Sequence, residues 1–251
     1  MSKNKQLENF QQDNIYCLFD QNEIADFTPD MLSVQFWREK NAITGSAQGR
    51  GTTWFVQHND KKSDQDKHWV LRHYYRGGLI GKIINDSYFF TAQKNTRAAR
   101  EFSLLAHMQK LALPAPKPIA YRVTRHGLFY RADLLSSRIE NAQDLVAVLT
   151  ENSISDDLWF AIGETIKTFH EQGIYHHDLN AHNILIDNNN KLWLIDFDQG
   201  EQRAIQQNWQ QSNMQRLLRS FHKEKNKLTT FNWLESNWQT LLDGYNTKRI
   251  N

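Results

Sequence analysis

Cysteine, proline and long apolar runs are all scarce in this chain, and each shortage excludes something. Cys17 is the only cysteine in 251 residues, so no internal disulfide can form and a reducing compartment is expected. Its expected role is that of a small residue filling space near the N-terminus. There are four prolines. Pro29 marks a break, and Pro114, Pro116 and Pro118 form a ladder that stiffens one connection. No run approaches the roughly 18 consecutive apolar residues of a membrane-spanning helix. Met1 to Gln12 is polar and lacks the apolar centre of a secretory signal. The expected location is cytoplasmic, at most lying on a membrane. No nucleic-acid-binding motif or base-stacking pattern stands out, so nucleic acid is not an expected partner, and no internal repeat is visible.

What the chain does have is apolar and aromatic material in quantity. Hydrophobic residues make up 39% and Phe, Trp and Tyr 12%, which argues for a packed globule rather than a disordered chain. The net charge of +2 conceals an asymmetry. Residues 68–131 hold eleven Lys and Arg against Asp86 and Glu101, while residues 132–202 hold three against thirteen acids. The basic stretch, with Arg72, Arg76, Lys82, Arg97 and Arg100, is suited either to an anionic partner or to a solvated face.

The acidic stretch contains the most informative segment, residues 177–198. Asn183 to Asp187 and Leu192 to Asp196 are apolar runs flanking the turn-rich tract Asp187-Asn188-Asn189-Asn190, the pattern of a β-hairpin. A turn centred between Asn189 and Asn190 sets Asn183 opposite Asp196. Asp178 precedes Asn183 on a polar loop feeding the hairpin. Three side chains that handle a metal or a proton thus gather at one open end, as phosphoryl transfer requires, because there the protein contributes mainly positioning and charge stabilisation. Asp178 suits orienting a hydroxyl and taking its proton. Asn183 and Asp196 offer the hard oxygen donors that Mg²⁺ prefers. His176, His177 and His182 lack a zinc-like ligand pattern and are expected to bond the backbone or line an acceptor pocket.

Periodicity predicts a helix over 31–40 with Phe36 and Trp37 inward, strands over 52–57 and 69–75, and a charged connection over 58–67. It further predicts a helix over 96–110 and strands over 119–123 and 127–132. A crossover over 133–137, helices over 142–150 and 157–171 stopped by Gly173, and a mostly helical tail from Trp209 follow. In that tail Leu217, Leu218, Phe221, Trp233 and Trp238 are core candidates. Residues 1–30 read as an irregular extension.

The loop from Asp178, the strand from Asn183 and Asp196-Phe197-Asp198 resemble the catalytic loop, metal-binding strand and Asp-Phe-Gly motif of the protein-kinase-like superfamily. More narrowly, the chain resembles the 3-deoxy-D-manno-octulosonic acid (Kdo) kinases, related to the lipopolysaccharide heptose kinases. The stretches 43–53, 71–79, 113–118 and 130–135 carry that likeness as well, across about residues 30–222. The resemblance implies an α+β fold with two lobes: a small antiparallel β N-lobe with one main helix (31–132) and a mostly helical C-lobe with a catalytic β-hairpin (133–251). It also implies ATP and Mg²⁺, with Asp178 catalytic and Asn183 and Asp196 as metal ligands.

For the nucleotide, the same pattern nominates the glycine-rich loop Gly45 to Gly51, with Gly45, Gly49, Arg50 and Gly51. Its Gly-x3-Gly-x-Gly spacing departs from the usual Gly-x-Gly-x2-Gly. Arg72 stands where the pattern has Lys, with Lys82 as the competing cation, and Glu101 as its acidic partner. An Arg fork binds phosphate and carboxylate bidentately, so the exchange is compatible with activity. Adenine is expected at Asp133 to Leu135 through main-chain bonds. Asn180, His182, Arg76 and Arg216 are candidates for contacting the acceptor, with Asn180 alternatively contacting Asp178. Asp198 replaces the motif's glycine and His177 its usual Arg. With a short C-terminal portion, these departures argue against a phosphorylation-switched enzyme with a protein substrate.

Similarity to Kdo kinases implies phosphorylation of the 4-hydroxyl of a Kdo-bearing glycolipid at the cytoplasmic face of the inner membrane, with an anionic membrane surface as a further partner. A phosphotransferase for another alcohol such as a heptose is the alternative, the basic stretch being unsuited to cationic antibiotics. A nucleotide-binding pseudokinase is another, to which Arg72 and Asp198 lend some support.

Overall fold

The computed structural model describes residues 6–48, 51–60, 65–75 and 86–247. The chain divides into two compact units, Met1–Ala106 with Pro116–Arg138 and His107–Ala115 with Ile139–Asn251.

The first unit is built on one antiparallel sheet. Its strands are β1 (Leu7–Gln12), β2 (Ile15–Asp20), β3 (Ile43–Gln48), β4 (Thr52–Asp60), β5 (Gln65–His73), β6 (Tyr88–Phe89), β7 (Pro118–His126) and β8 (Phe129–Ser137). They lie in the order β1-β2-β7-β8-β5-β4-β3, with β6 paired to the start of β8. The helices are α1 (Val34–Glu39) and α2 (Arg97–Lys110). Alternation along β8 divides the sheet's two faces. Tyr130 and Leu134 face α2: the Tyr130 hydroxyl accepts from Arg97 N at 3.0 Å, and Tyr121, opposite Leu134, meets Phe102 ring to ring at 5.3 Å. Asp133 and Leu135 face the other way, toward a core of Cys17, Phe19, Met31, Leu32, Trp37, Trp69 and Leu71. Burial pushes the Cys17 thiol up to about 12.

Three expectations are corrected in this unit. Residues 1–30 are not an irregular extension, because β1 and β2 form a hairpin that enters the sheet through β2 and β7. Its two-residue connection, Asp13-Asn14, has Asp13 left-handed at φ 50°, a conformation that short polar side chains tolerate. Residues 133–137 are not a crossover, since β8 runs to Ser137 with β5 on one side and β7 on the other. Residues 45–48 are strand rather than loop, with a bulge between Ile43 and Gly45.

The second unit is mostly helical: α3 (Leu145–Glu151), α4 (Asp156–Glu171), α5 (Gln207–Lys227) and α6 (Glu235–Asn246). Its strands are short: β9 (Ala142–Asp144), β10 (Ile174–Tyr175), β11 (Ile184–Asp187), β12 (Leu192–Leu194) and β13 (Glu201–Gln202). Ser155 caps α4, its hydroxyl accepting from Leu158 N, and Asp156 and Asp157 complement the first turn. Gly173 at φ 71° ends it. The helices α4 and α6 cross backbone to backbone: a Cβ on Gly163 would stand 2.0 Å from Leu241 O, and one on Gly244 2.0 Å from Phe160 O. Trp159, Phe169, Phe197, Leu217, Phe221, Trp233 and Leu241 fill the core.

Candidate active site

In the second unit, β11 and β12 form the expected hairpin with a register one residue from that expected. Ile184 lies opposite Leu194, and Ile195 N donates to Asn183 O at 3.0 Å. Asn183 therefore faces Ile195, and Asp196 follows as the first residue beyond the ladder. The cause is the turn. The Asp187 carboxylate accepts from Asn189 N and Lys191 N, and Asn190 is left-handed at φ 58°. A three-residue loop results, centred on Asn189 rather than between two residues.

Asn183 is buried, and its Nδ2 donates to Asp178 O at 2.9 Å. The donor end of the carboxamide is thereby engaged, so its oxygen is the atom that can meet a cation. Asp196 is exposed at φ 60°, a conformation whose cost is tolerated where function requires it. Phe197 is fully buried, stacked on Phe169 at 5.8 Å, and anchors the segment. Asp198 has no left-handed φ; Gln199 takes that role at φ 59°, so this turn makes no demand for glycine at 198. The donor set of Asn183 and Asp196, hard oxygens without His or Cys, fits Mg²⁺.

Of the three histidines expected to bond the backbone or line a pocket, His176 bonds the backbone and holds these pieces together. His176 Nδ1 accepts from Asp178 N at 3.2 Å, while its Nε2 donates to Ile195 O at 2.9 Å. One imidazole thus ties the loop carrying Asp178 to the strand end carrying Asp196. Burial lowers its pKa, which keeps it in the neutral form that this donor–acceptor pair requires. Asn213 on α5 brackets His176, its Oδ1 accepting from His176 N at 3.3 Å and its Nδ2 donating to His176 O at 3.0 Å. The signal for Asn213 was legible: it interrupts the apolar i, i+4 stripe Trp209, Leu217, Phe221.

Among the candidates for the acceptor, Asn180 contacts Asp178 through the main chain, its Nδ2 donating to Asp178 O at 3.0 Å. It also caps the 3-10 turn Ala181–Asn183 by accepting from His182 N. His182 is half exposed, with Nδ1 3.1 Å from Asp144 and Nε2 3.6 Å from Glu224. The Asp144 hydrogen bond raises its pKa. Arg216 on α5 places Nη1 4.0 Å from Asp178 Oδ1, and its Nε is buried without a hydrogen-bond partner among the described residues.

In the first unit, Arg72 and Glu101 form an ion pair across the face that carries α2, and the Tyr74 hydroxyl donates to the same Glu101 oxygen at 2.7 Å. Glu101 is buried, so its charge depends on these partners. Gly51 lies under the ring of Tyr75, where a Cβ would come within 2.1 Å. Asp133 and Leu135 are corrected as adenine contacts. Their main chains belong to a strand paired on both edges. The Asp133 carboxylate is spent on Arg122 Nε at 2.9 Å and His73 Nδ1 at 2.7 Å. Gly49, Arg50, Arg76 and Lys82 lie outside the described residues.

The family model for the lipopolysaccharide kinases (Kdo/WaaP) matches residues 34–245. The chain is 47% identical to a 3-deoxy-D-manno-octulosonic acid kinase of Vibrio cholerae, covering 82% of this chain and 85% of that one. It is 43% identical to that of Vibrio parahaemolyticus, over 87% and 89%. It is 46% identical to that of Mannheimia succiniciproducens, over 87% and 91%.

Proposed function

The chain belongs to the lipopolysaccharide kinase (Kdo/WaaP) family, and from that premise we propose that it transfers the γ-phosphoryl group of ATP to the 4-hydroxyl of a Kdo residue on a lipid A precursor. The observation that carries the reading is the loop and hairpin around His176, in which Asn183 holds the main chain of Asp178 and Asp196 emerges beside the strand end. Three relatives from different bacteria carry the Kdo kinase name at 43–47% identity.

In this reading Asp178 orients the acceptor hydroxyl and takes its proton. Arg216 reaches the acceptor's carboxylate, a match for its guanidinium fork. Arg72, held by Glu101, pairs with the nucleotide phosphates. Asn183 and Asp196 would hold Mg²⁺, which supplies charge neutralisation at the phosphate oxygens. The acceptor is a lipid, so the enzyme works as a peripheral protein on the cytoplasmic face of the inner membrane.

The test is transfer of label from γ-labelled ATP to a Kdo-bearing lipid A precursor, beside a heptose-bearing acceptor and a peptide. Label is expected in the Kdo lipid alone. Asp178→Ala is expected to lose about 10²- to 10⁴-fold in rate while still binding nucleotide. Label in the heptose acceptor instead would move the assignment to that sugar. Undiminished turnover by Asp178→Ala would remove Asp178 as the base.

A further inference from the structure

A compact apolar patch stands out on the sheet of the first unit. Phe89, Leu128 and Phe129 are exposed by 58%, 67% and 41%. They come from two segments brought together by pairing: Phe89 lies opposite Phe129, their rings 6.2 Å apart, and Phe90 N donates to Leu128 O at 2.9 Å. Leu128 sits at the very tip of the β7–β8 hairpin. His126 pairs with Phe129, leaving the two-residue loop Gly127-Leu128 with Gly127 left-handed at φ 60°, the arrangement of a type II′ turn. Such tips ordinarily carry polar residues, and a Leu flanked by two Phe there has no cover among the described residues.

The chain that builds the patch carries charge of one sign. The two segments that build it, 88–100 and 122–131, contain Lys94, Arg97, Arg100, Arg122, Arg125 and Arg131 and no acid. Arg125 is exposed with its guanidinium 4.2 Å over the ring of Phe90. Arg131 is exposed on the Phe129 face. Of the carboxylates beside these segments, Asp86 is engaged by Arg131 at 2.9 Å and His73 at 3.3 Å, and Asp13 lines a cavity with Phe90 and Arg125. Apolar tips ringed by Arg and Lys are complementary to the interface of an anionic bilayer: the rings enter the boundary of the acyl chains while the cations meet phosphate headgroups.

We propose that Phe89, Leu128 and Phe129, with Arg125 and Arg131 around them, are the surface by which this protein docks on an anionic phospholipid membrane. The proposal rests on the glycolipid reading above, because a membrane-embedded acceptor is what makes docking useful. It assigns to three side chains and their basic collar a membrane attachment that the chain's overall charge leaves unplaced.

The experiment is co-sedimentation of the full chain with vesicles of phosphatidylglycerol and phosphatidylethanolamine, and with vesicles of phosphatidylcholine alone. Binding is expected to the anionic vesicles, to weaken with salt, and to fall at least about tenfold in F89S/L128S/F129S. Leu128→Asp serves as a single exposed substitution should the triple variant fold poorly. Phosphorylation of a deacylated, water-soluble acceptor is expected to be unchanged in these variants, while that of the lipid acceptor in vesicles falls. Failure to phosphorylate the soluble acceptor even in wild type would count against the catalytic reading and leave the vesicle result to judge the patch. Undiminished vesicle binding by the triple variant overturns the proposal. So does self-association of the wild type that the substitutions abolish without affecting vesicle binding, since the patch would then face a second copy.

Discussion

His170 sits on α4 with Nδ1 2.7 Å from the Tyr245 hydroxyl, and burial lowers its pKa from 6.5 to about 4. Between those values the unfolded chain takes up a proton that the folded chain refuses. Stability from this residue is therefore complete above about pH 6.5 and drains away as the pH falls toward 4, at up to about 1.4 kcal/mol per pH unit. His176 acts in the same direction, whereas His182, whose pKa is raised, contributes below 6.5 and loses that contribution as the pH rises. Urea unfolding at pH 7 and pH 5 checks this: wild type is expected to lose about 1–2 kcal/mol more than His170→Gln over that range. Parallel losses would show that His170 is protonated in the folded state. At this scale the sequence was informative about side chains whose chemistry is unusual and poor about those whose role is to hold others. Asp178, Asn183 and Asp196 could be nominated as candidates because few residue types can orient a hydroxyl or meet a hard cation. His176 was not singled out among the three histidines, since its role depends on two main-chain atoms brought together from residues 178 and 195.

Elements were legible wherever local periodicity decides them. The helix α2, the end of α4 at Gly173 and the existence of the β11–β12 hairpin follow from pattern. The hairpin's register did not, because Asp187 closes an odd-numbered loop with its own carboxylate, a choice that an Asp-Asn-Asn-Asn tract leaves open. Asp133 and Leu135 were misplaced for a different reason: strand length is set by partners on both sides, and one of them, β5, is distant in sequence. The crossing of α4 and α6 gives the element-scale prediction. Gly to Ala in an open helix ordinarily stabilises by up to about 1 kcal/mol. At Gly163 the new methyl would meet main-chain atoms of Leu241 and Tyr245, at 2.0 and 2.6 Å, which no rotamer change relieves. The overpacking cost of about 1–3 kcal/mol decides the sign. Gly163→Ala is expected to lower the urea midpoint, followed by helical circular dichroism. A rise would mean that α4 and α6 part enough to admit the methyl.

For the molecule as a whole, the charge asymmetry of the sequence largely follows its division into units. The basic stretch falls mostly in the sheet unit, where Arg72 is committed to Glu101 and Arg122 to Asp133, while Arg131 pairs with Asp86 and stays half exposed. The acidic stretch falls mostly in the helical unit with the candidate metal ligands. A basic balance alone did not say which cations remain exposed beside apolar tips; that required the pairing of β6 with β8. The lone thiol has a consequence at this scale as well. Cys17 is fully buried among Phe19, Trp37 and Leu135, and the helical unit contains no sulfhydryl at all. An alkylating reagent can mark the chain only after β2 has left its neighbours, and labelling in native buffer is expected at least about 10³-fold slower than in urea. Fast labelling would mean that the edge hairpin frays on its own. A single mass increment on the intact polypeptide thereby becomes a clock for the opening of one unit, silent about the other.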